Sequence, residues 1–312
     1  MKAVFMGTPE FAAKVLEAVY KRHEVLAVLT QPDKPAGRGK KIKNSPVKEL
    51  AIEHGTPVLQ PEKLRAPENI ELIQSLRPDV ILVAAYGQIL PKTILYYPKY
   101  GCINVHASLL PKYRGAAPIN WALINGENES GVTIMQMDAG IDTGDMILQR
   151  RVPIHPEETC GELYSRLAEL GAEALIEVLE DIEAKISFRK PQSSEGSSYA
   201  PMISAQTGRL DWSKTGREIV CLIRGLNPSP GAYTFYEGSM MKIWKAKEIE
   251  SAFEKYKNFK PGEIIEAGKE GILIRVKDGS ALLETVQAKG GKIMPSADYL
   301  RGHPMKPGTR FD

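Results

Sequence analysis

The spacing of apolar positions changes several times along the chain, and each change marks an element. Residues 2–6 form an apolar run that ends in Gly7-Thr8-Pro9. Such a run reads as a strand buried on both faces. Thr8 is suited to cap a following helix and Pro9 to open its first turn. Phe11, Val15, Leu16 and Val19 then fall on one side of that helix. Apolar runs at 25–29, 80–84 and 102–105 predict three more buried strands, with helical stretches at 46–54 and 69–76 between them. Strands alternating with helices predict a parallel sheet covered on both faces.

The pattern then shifts. Residues 131–138 and 145–152 are two extended runs joined by six residues, too few for a crossover helix, so they are expected to pair antiparallel. Leu163, Leu167, Leu170, Leu175 and Leu179 recur near helical spacing and predict one long helix over 159–184. Residues 185–206, rich in serine, glycine and proline, have the composition of a linker. Beyond them come a helix at 218–226 and short strand-like runs at 232–236, 240–245, 262–266, 272–276 and 281–286, the pattern of a small β-barrel. The expected fold class is α/β: a doubly wound, Rossmann-like, mostly parallel sheet with a smaller C-terminal barrel. The expected division is 1–188, a linker over 189–206, and 207–312.

Composition narrows this little. Apolar residues at 43% and charged residues at 25% are those of a soluble globular protein. No leader with an apolar core and no membrane-length apolar stretch is visible. Cys102, Cys160 and Cys221 lack C-x-x-C spacing, so neither a disulfide frame nor a zinc site is expected, and a reducing cytoplasm fits. Net charge is only +3, but 207–312 holds 18 Lys/Arg against 13 Asp/Glu, a local excess of +5. A second cationic feature comprises Lys34, Arg38, Lys40, Lys41, Lys43 and Lys48, with no acid between Lys34 and Lys48.

Asn104 and His106 stand two apart at the end of a predicted strand, so their side chains share a side. Ligands of open α/β sheets gather beyond the carboxyl ends of strands. Taken alone, an Asn-x-His there is more readily a pair of satisfied strand-end groups. The following residues change that. The run Asn104-Val105-His106-Ala107-Ser108-Leu109-Leu110-Pro111 leads to Tyr113-Arg114-Gly115-Ala116-Ala117-Pro118, and later to Asp138-Ala139-Gly140-Ile141-Asp142-Thr143-Gly144. With Gly7-Thr8-Pro9-Glu10-Phe11-Ala12, the run from Gln31-Pro32-Asp33 to Lys40-Lys41, and Thr133-Ile134-Met135-Gln136-Met137-Asp138, these segments resemble the 10-formyl-tetrahydrofolate-dependent formyltransferases in order and spacing. The resemblance runs nearly the full length. It is weaker over the C-terminal third, where it implies no individual contacts.

The resemblance implies a formyl transferase catalytic domain over 1–188, with Asn104, His106 and Asp142 as its catalytic set. The chemistry agrees. An amine attacking a formyl carbon creates a tetrahedral oxyanion, which an amide and an imidazole can stabilise. A carboxylate near the imidazole can favour its charged form and pass protons through water. No covalent enzyme intermediate is needed, and Ser108 is not expected to be a nucleophile. Asp138 is expected to cap its turn, a role open to Asp142 as well on pattern alone.

The resemblance further implies 10-formyl-tetrahydrofolate as cosubstrate, no metal, and folate contacts from Tyr86, Gly87, Gln88, Ile89, Leu90 and Pro91 and from Ser108, Leu109, Leu110 and Pro111. It is closest to members acting on methionyl initiator tRNA. That implies that the basic run, predicted to be a long loop by its prolines and glycines, meets the tRNA through Arg38, Lys40, Lys41 and Lys43. The C-terminal domain is then an OB-like barrel that binds tRNA. No membrane and no obligate protein partner are implied. Two alternatives stay open: a folate-dependent formyltransferase acting on a small amine, such as glycinamide ribonucleotide or an amino-sugar nucleotide, and a non-catalytic RNA-binding protein. His23, His54, His155 and His303 show no ligand spacing. Gly7-Thr8-Pro9 lacks the further glycines of a dinucleotide site.

Overall fold

A computed structural model describes residues 1–36, 41–249 and 256–312. Seven strands form one sheet: β1 (Lys2–Gly7), β2 (Glu24–Leu29), β3 (Val58–Leu59), β4 (Val80–Ala84), β5 (Cys102–His106), β6 (Glu129–Gln136) and β7 (Met146–Pro153). Their spatial order is β7-β6-β5-β4-β1-β2-β3. From β3 to β5 all pairings are parallel, whereas β5 and β6 are antiparallel. Gln136 N–H donates to the Asp145 carbonyl and Ile154 N–H to the Asn128 carbonyl, so β6 and β7 run antiparallel too. The predicted runs therefore form the sheet, and the short strand β3 is an addition that the pattern did not reveal.

The central strands are buried on both faces, as their unbroken apolar runs require: Val4, Phe5 and Met6 in β1 and Ile81 and Leu82 in β4 have no exposed surface. Each such side chain contributes roughly 1.5–3 kcal/mol of burial free energy. The helix Glu10–Tyr20 buries Phe11, Val15, Leu16 and Val19. Its N-cap is Pro9, whose carbonyl accepts from Ala12 and Ala13 N–H. Thr8 is thus not the cap; its hydroxyl reaches the Tyr86 carbonyl at 3.3 Å. The long C-terminal helix also differs from expectation. It runs Cys160–Glu180, breaks at Asp181, where the backbone leaves the helical region, and resumes as Ile182–Ser187.

The chain divides into two compact units: Met1–Pro118, Ser130–Val152 and Tyr164–Ala200 in one, and Ile119–Glu129, Pro153–Leu163 and Pro201–Asp312 in the other. In the first, part of the stretch read as a linker is firmly placed. Lys190 exchanges backbone hydrogen bonds with Met146, and Tyr199–Ala200 pairs parallel with Arg114–Gly115. Serine and glycine there serve turns rather than a free tether.

In the second unit, β8 (Ala232–Tyr236), β9 (Ser239–Ile249), β10 (Ile264–Gly268), β11 (Gly271–Arg275) and β12 (Ser280–Ala288) form an antiparallel sheet ordered β8-β9-β12-β11-β10, with β13 (Met294–Pro295) beside β12. The helix Gly216–Gly225 starts at a capping box between Thr215 and Glu218 and supplies Ile219 and Ile223 to the core with Trp212, Ile243, Ile274 and Phe311. Asp312 N–H donates to the Phe235 carbonyl on one edge strand, while Ile264 N–H on the other edge donates to the Thr309 carbonyl. The segment 309–312 therefore links the two free edges of this sheet.

Candidate active site

Strand order reverses between β1 and β4, and the chain leaves both strands at the same edge of the sheet, through Gly7 and Ala84. A crevice at such a reversal is where open α/β sheets accept ligands. One strand further along, β5 delivers Asn104 opposite Met135 and His106 opposite Thr133. Asn104 is 8% exposed and His106 5%. Among the described residues, Asn104 has no side-chain hydrogen-bond partner. An amide with no protein partner at a strand end is free to bond to solvent or to a ligand.

His106 is held from two sides. Its Nε2 lies 2.9 Å from the Tyr113 carbonyl, and because a carbonyl only accepts, Nε2 donates. Its Nδ1 lies 3.6 Å from Asp142 Oδ2. That carboxylate oxygen also accepts the Gly115 N–H at 2.9 Å. Tyr113 and Asp142 both have positive φ, 61° and 51°, as does Ala85 at 45° beyond β4. Left-handed conformations in non-glycine residues cost on the order of 1–3 kcal/mol and persist only where surroundings enforce them. Two of them, Tyr113 and Asp142, flank the same imidazole, which marks a built site. Gly144 completes the turn after Asp142: a Cβ there would come 1.9 Å from the Gln136 carbonyl oxygen, so only glycine fits.

Asp138 does something else. Its carboxylate accepts from Gly140 N–H at 3.0 Å and from the Thr143 hydroxyl at 2.7 Å, which is turn capping. Ser108 donates to the Lys112 carbonyl at 2.7 Å. The segment after it is pinned by buried Thr133, whose hydroxyl donates to the Ser108 carbonyl and accepts from Leu110 N–H. Leu110 is buried and Leu109 half-buried, while Gln149 donates to the Leu110 carbonyl at 2.8 Å and Pro111 follows a cis peptide bond.

The loop after β4 shows two kinds of residue. Tyr86 and Leu90 are buried in the apolar layer with Leu29, Leu64 and Ile94. Burial pushes the Tyr86 phenol up to about 12, and its hydroxyl has no partner among the described residues. Gln88 braces the neighbouring chain, accepting from Leu64 N–H and donating to the Pro61 carbonyl, both at 2.9 Å. Gly87 is exposed with φ at 85°, and Ile89 is 82% exposed, a large apolar side chain left uncovered. Pro91 starts the short helix Lys92–Leu95. Cys102, at the start of β5, is a buried thiol whose burial pushes it up to about 12.

Of the basic positions, Arg38 and Lys40 lie outside the described residues. Lys41 belongs to the strand Lys41–Lys43, which pairs antiparallel with Lys34–Ala36, so the run is a strand pair rather than all loop. Lys34 sits opposite Lys43, both exposed. Lys48 is not free: it is ion-paired to Asp33, which also accepts from Gln60 at 2.9 Å. The Lys48 hydrogen bond, then that of Gln60, holds the Asp33 carboxyl below its usual range.

Sequence reasoning missed Gln192. Its amide donates to the Asp142 and Gly144 carbonyls at 2.8 and 2.7 Å, and its oxygen accepts from Arg114 Nε and Nη2 at 3.0 and 2.8 Å. No local pattern could reveal it, since its partners lie about fifty residues upstream or more.

Residues 1–179 match the formyl transferase family, and residues 202–304 match the formyl transferase C-terminal domain. Methionyl-tRNA formyltransferase from Geobacter sulfurreducens is 48% identical over all of this chain and 96% of its own. That of Acetivibrio thermocellus is 50% identical over 97% of each. Among solved structures, the N-formyltransferase from Helicobacter canadensis, in complex with folinic acid and dTDP-3-aminofucose, superposes with a TM-score of 0.66 at 22% identity, covering 92% of this chain and 99% of that one. HypX from Aquifex aeolicus in complex with tetrahydrofolic acid gives 0.63 at 19% identity, over 96% of this chain and 47% of its own.

Proposed function

This chain belongs to the formyl transferase family, and we propose that it transfers the formyl group of 10-formyl-tetrahydrofolate to the amino group of methionyl initiator tRNA. The observation that carries this is near-half identity, along the whole chain, to methionyl-tRNA formyltransferases, joined to a site where His106 faces Asp142 beside Asn104 on the same strand. The amine nitrogen attacks the formyl carbon, the carbonyl oxygen becomes an oxyanion, and the C–N bond to the folate nitrogen breaks. One proton leaves the amine and one joins the folate nitrogen.

Asn104 supplies the donor for the oxyanion, because its amide is the open one. His106 and Asp142 hold and move the proton. The contact between Nδ1 and the carboxylate is attractive with a proton between them, and its 3.6 Å leaves room to tighten when substrates bind. The folate rests along the loop after β4 and on Ser108, Leu109, Leu110 and Pro111. Gly87 and Ile89 offer its open flank, with backbone groups reading the pterin edge, while Tyr86, Gln88, Leu90 and Pro91 shape and support the wall. Arg38, Lys40, Lys41 and Lys43 meet the acceptor arm of the tRNA. The C-terminal part, from 207 to 312, is an OB-like barrel that tracks its backbone; its cationic excess and the linked edges of its sheet support this. The enzyme works in the cytoplasm, where three buried free cysteines stay reduced.

The test is formylation by purified protein with 10-formyl-tetrahydrofolate and three acceptors: initiator methionyl-tRNA, elongator methionyl-tRNA and a small amine. Initiator tRNA is expected to be far the best. Equal turnover of the small amine would replace this reading with that of a small-amine formyltransferase.

A further inference from the structure

The segment 180–201 falls between the two family matches, yet it carries side chains that reach the catalytic turn. We propose that Gln192 is a positioning residue for formyl transfer, holding Asp142 at its working distance from His106. This rests on the reading of Asp142 as part of the catalytic set.

The geometry is specific. The turn 138–144 has its own internal bonds through Asp138, but none of them fixes where the Asp142 backbone stands relative to β5. Gln192 does. A single amide nitrogen donates to the carbonyls on either side of Thr143, and the same side chain's oxygen accepts from two donors of the Arg114 guanidinium, Nε and Nη2. Arg114 precedes Gly115, whose N–H holds the Asp142 carboxylate. Gln192 therefore ties the backbone of Asp142 to the strand that holds its side chain. The other end of the same segment fixes the second support of His106: Ser198 Oγ accepts the Tyr113 N–H at 2.8 Å, the Ser198 carbonyl accepts the Arg114 N–H at 2.9 Å, and the Tyr113 carbonyl is the acceptor for Nε2. Both ring nitrogens of His106 thus face groups whose positions are set from 192–198.

An amide is the one uncharged side chain of this length that both donates to carbonyls and accepts from a guanidinium. Glutamate keeps the Arg114 contact but turns an acceptor toward two carbonyls. Methionine keeps the length and makes neither bond. Loss of this tether lets Asp142 drift, and displacements of about 1 Å at a catalytic group cost roughly 100-fold.

The experiment uses the full-length protein with Gln192→Glu and Gln192→Met, beside Asp142→Asn. Single-turnover formylation of initiator methionyl-tRNA is measured across pH, with folate and tRNA affinities and thermal unfolding measured on the same preparations. Both Gln192 variants are expected to lose roughly 10- to 100-fold in the chemical rate, to keep both affinities within about twofold, and to shift the limb of the pH–rate profile that Asp142→Asn abolishes. Near-normal rates in Gln192→Met, or a loss that merely follows the loss of folded protein, would overturn the positioning role. If Asp142→Asn itself turns over normally, the catalytic reading of Asp142 fails instead, and the two failures are distinguished.

Discussion

Asn104 gains its chemical value from what surrounds it rather than from what it is. An asparagine at a strand end normally bonds to a neighbouring loop; here the neighbouring loop is pinned by Thr133, and the amide stays open at 8% exposure. Asn104→Ala is expected to lower the rate of formyl transfer by roughly 100- to 1,000-fold, the range for one oxyanion donor. Folate affinity should change little; rapid-quench measurement of the rate alongside folate titration checks this, and a variant with near-wild-type rate would remove Asn104 from the mechanism. His106 differs in having one ring nitrogen bonded to the Tyr113 carbonyl and the other facing Asp142 at 3.6 Å.

At the scale of elements, the stem of the basic strand pair is a small polar assembly. Thr30 and Ser45 hydroxyls meet at 2.8 Å, Gln60 donates to the Gln31 carbonyl, and the Asp33–Lys48 pair closes the base. Since the folded-state Asp33 carboxyl is held below its unfolded value, its contribution to stability is complete above the ordinary carboxylate range, near pH 4. It disappears as pH falls through the lower, folded-state value. Asp33→Asn should therefore be less stable than the parent at neutral pH, with the gap closing below about pH 4. Urea unfolding at pH 7 and pH 3 measures it; a gap that persists unchanged at pH 3 would deny the ion pair its role. The same pairing removes Lys48 from the cations available to a nucleic acid.

At the scale of the molecule, a net charge of only +3 conceals the +5 gathered in 207–312 and the lysines of the strand pair 34–43. Binding of tRNA should weaken steeply with salt, and Arg38→Ala should reduce the slope of log affinity against log salt by about one. Folate binding should be unaffected in that variant; a folate defect would place Arg38 elsewhere. The sheet and the Asn-x-His at a strand end were legible because strands buried on both faces leave unbroken apolar runs, and two-residue spacing on a strand assigns side chains to one side; the strand order and its reversal were not. The family motifs carried Asp142 as well. Legibility failed where partners are remote or cues are local and ambiguous: Thr8 looked like a cap and instead faces Tyr86, and the serine- and glycine-rich stretch around Gln192 looked like a tether and instead bonds to the turn that carries Asp142. By itself, then, the sequence determined the longer strands of the sheet and singled out Asn104, His106 and Asp142 as candidates for the chemistry, because periodicity and motif order are local properties of the chain. Only the tertiary structure decided the 3.6 Å between His106 and Asp142, the open amide of Asn104 and the reach of Gln192 across fifty residues, because hydrogen-bond partners are chosen by where folding brings backbone and side chain together.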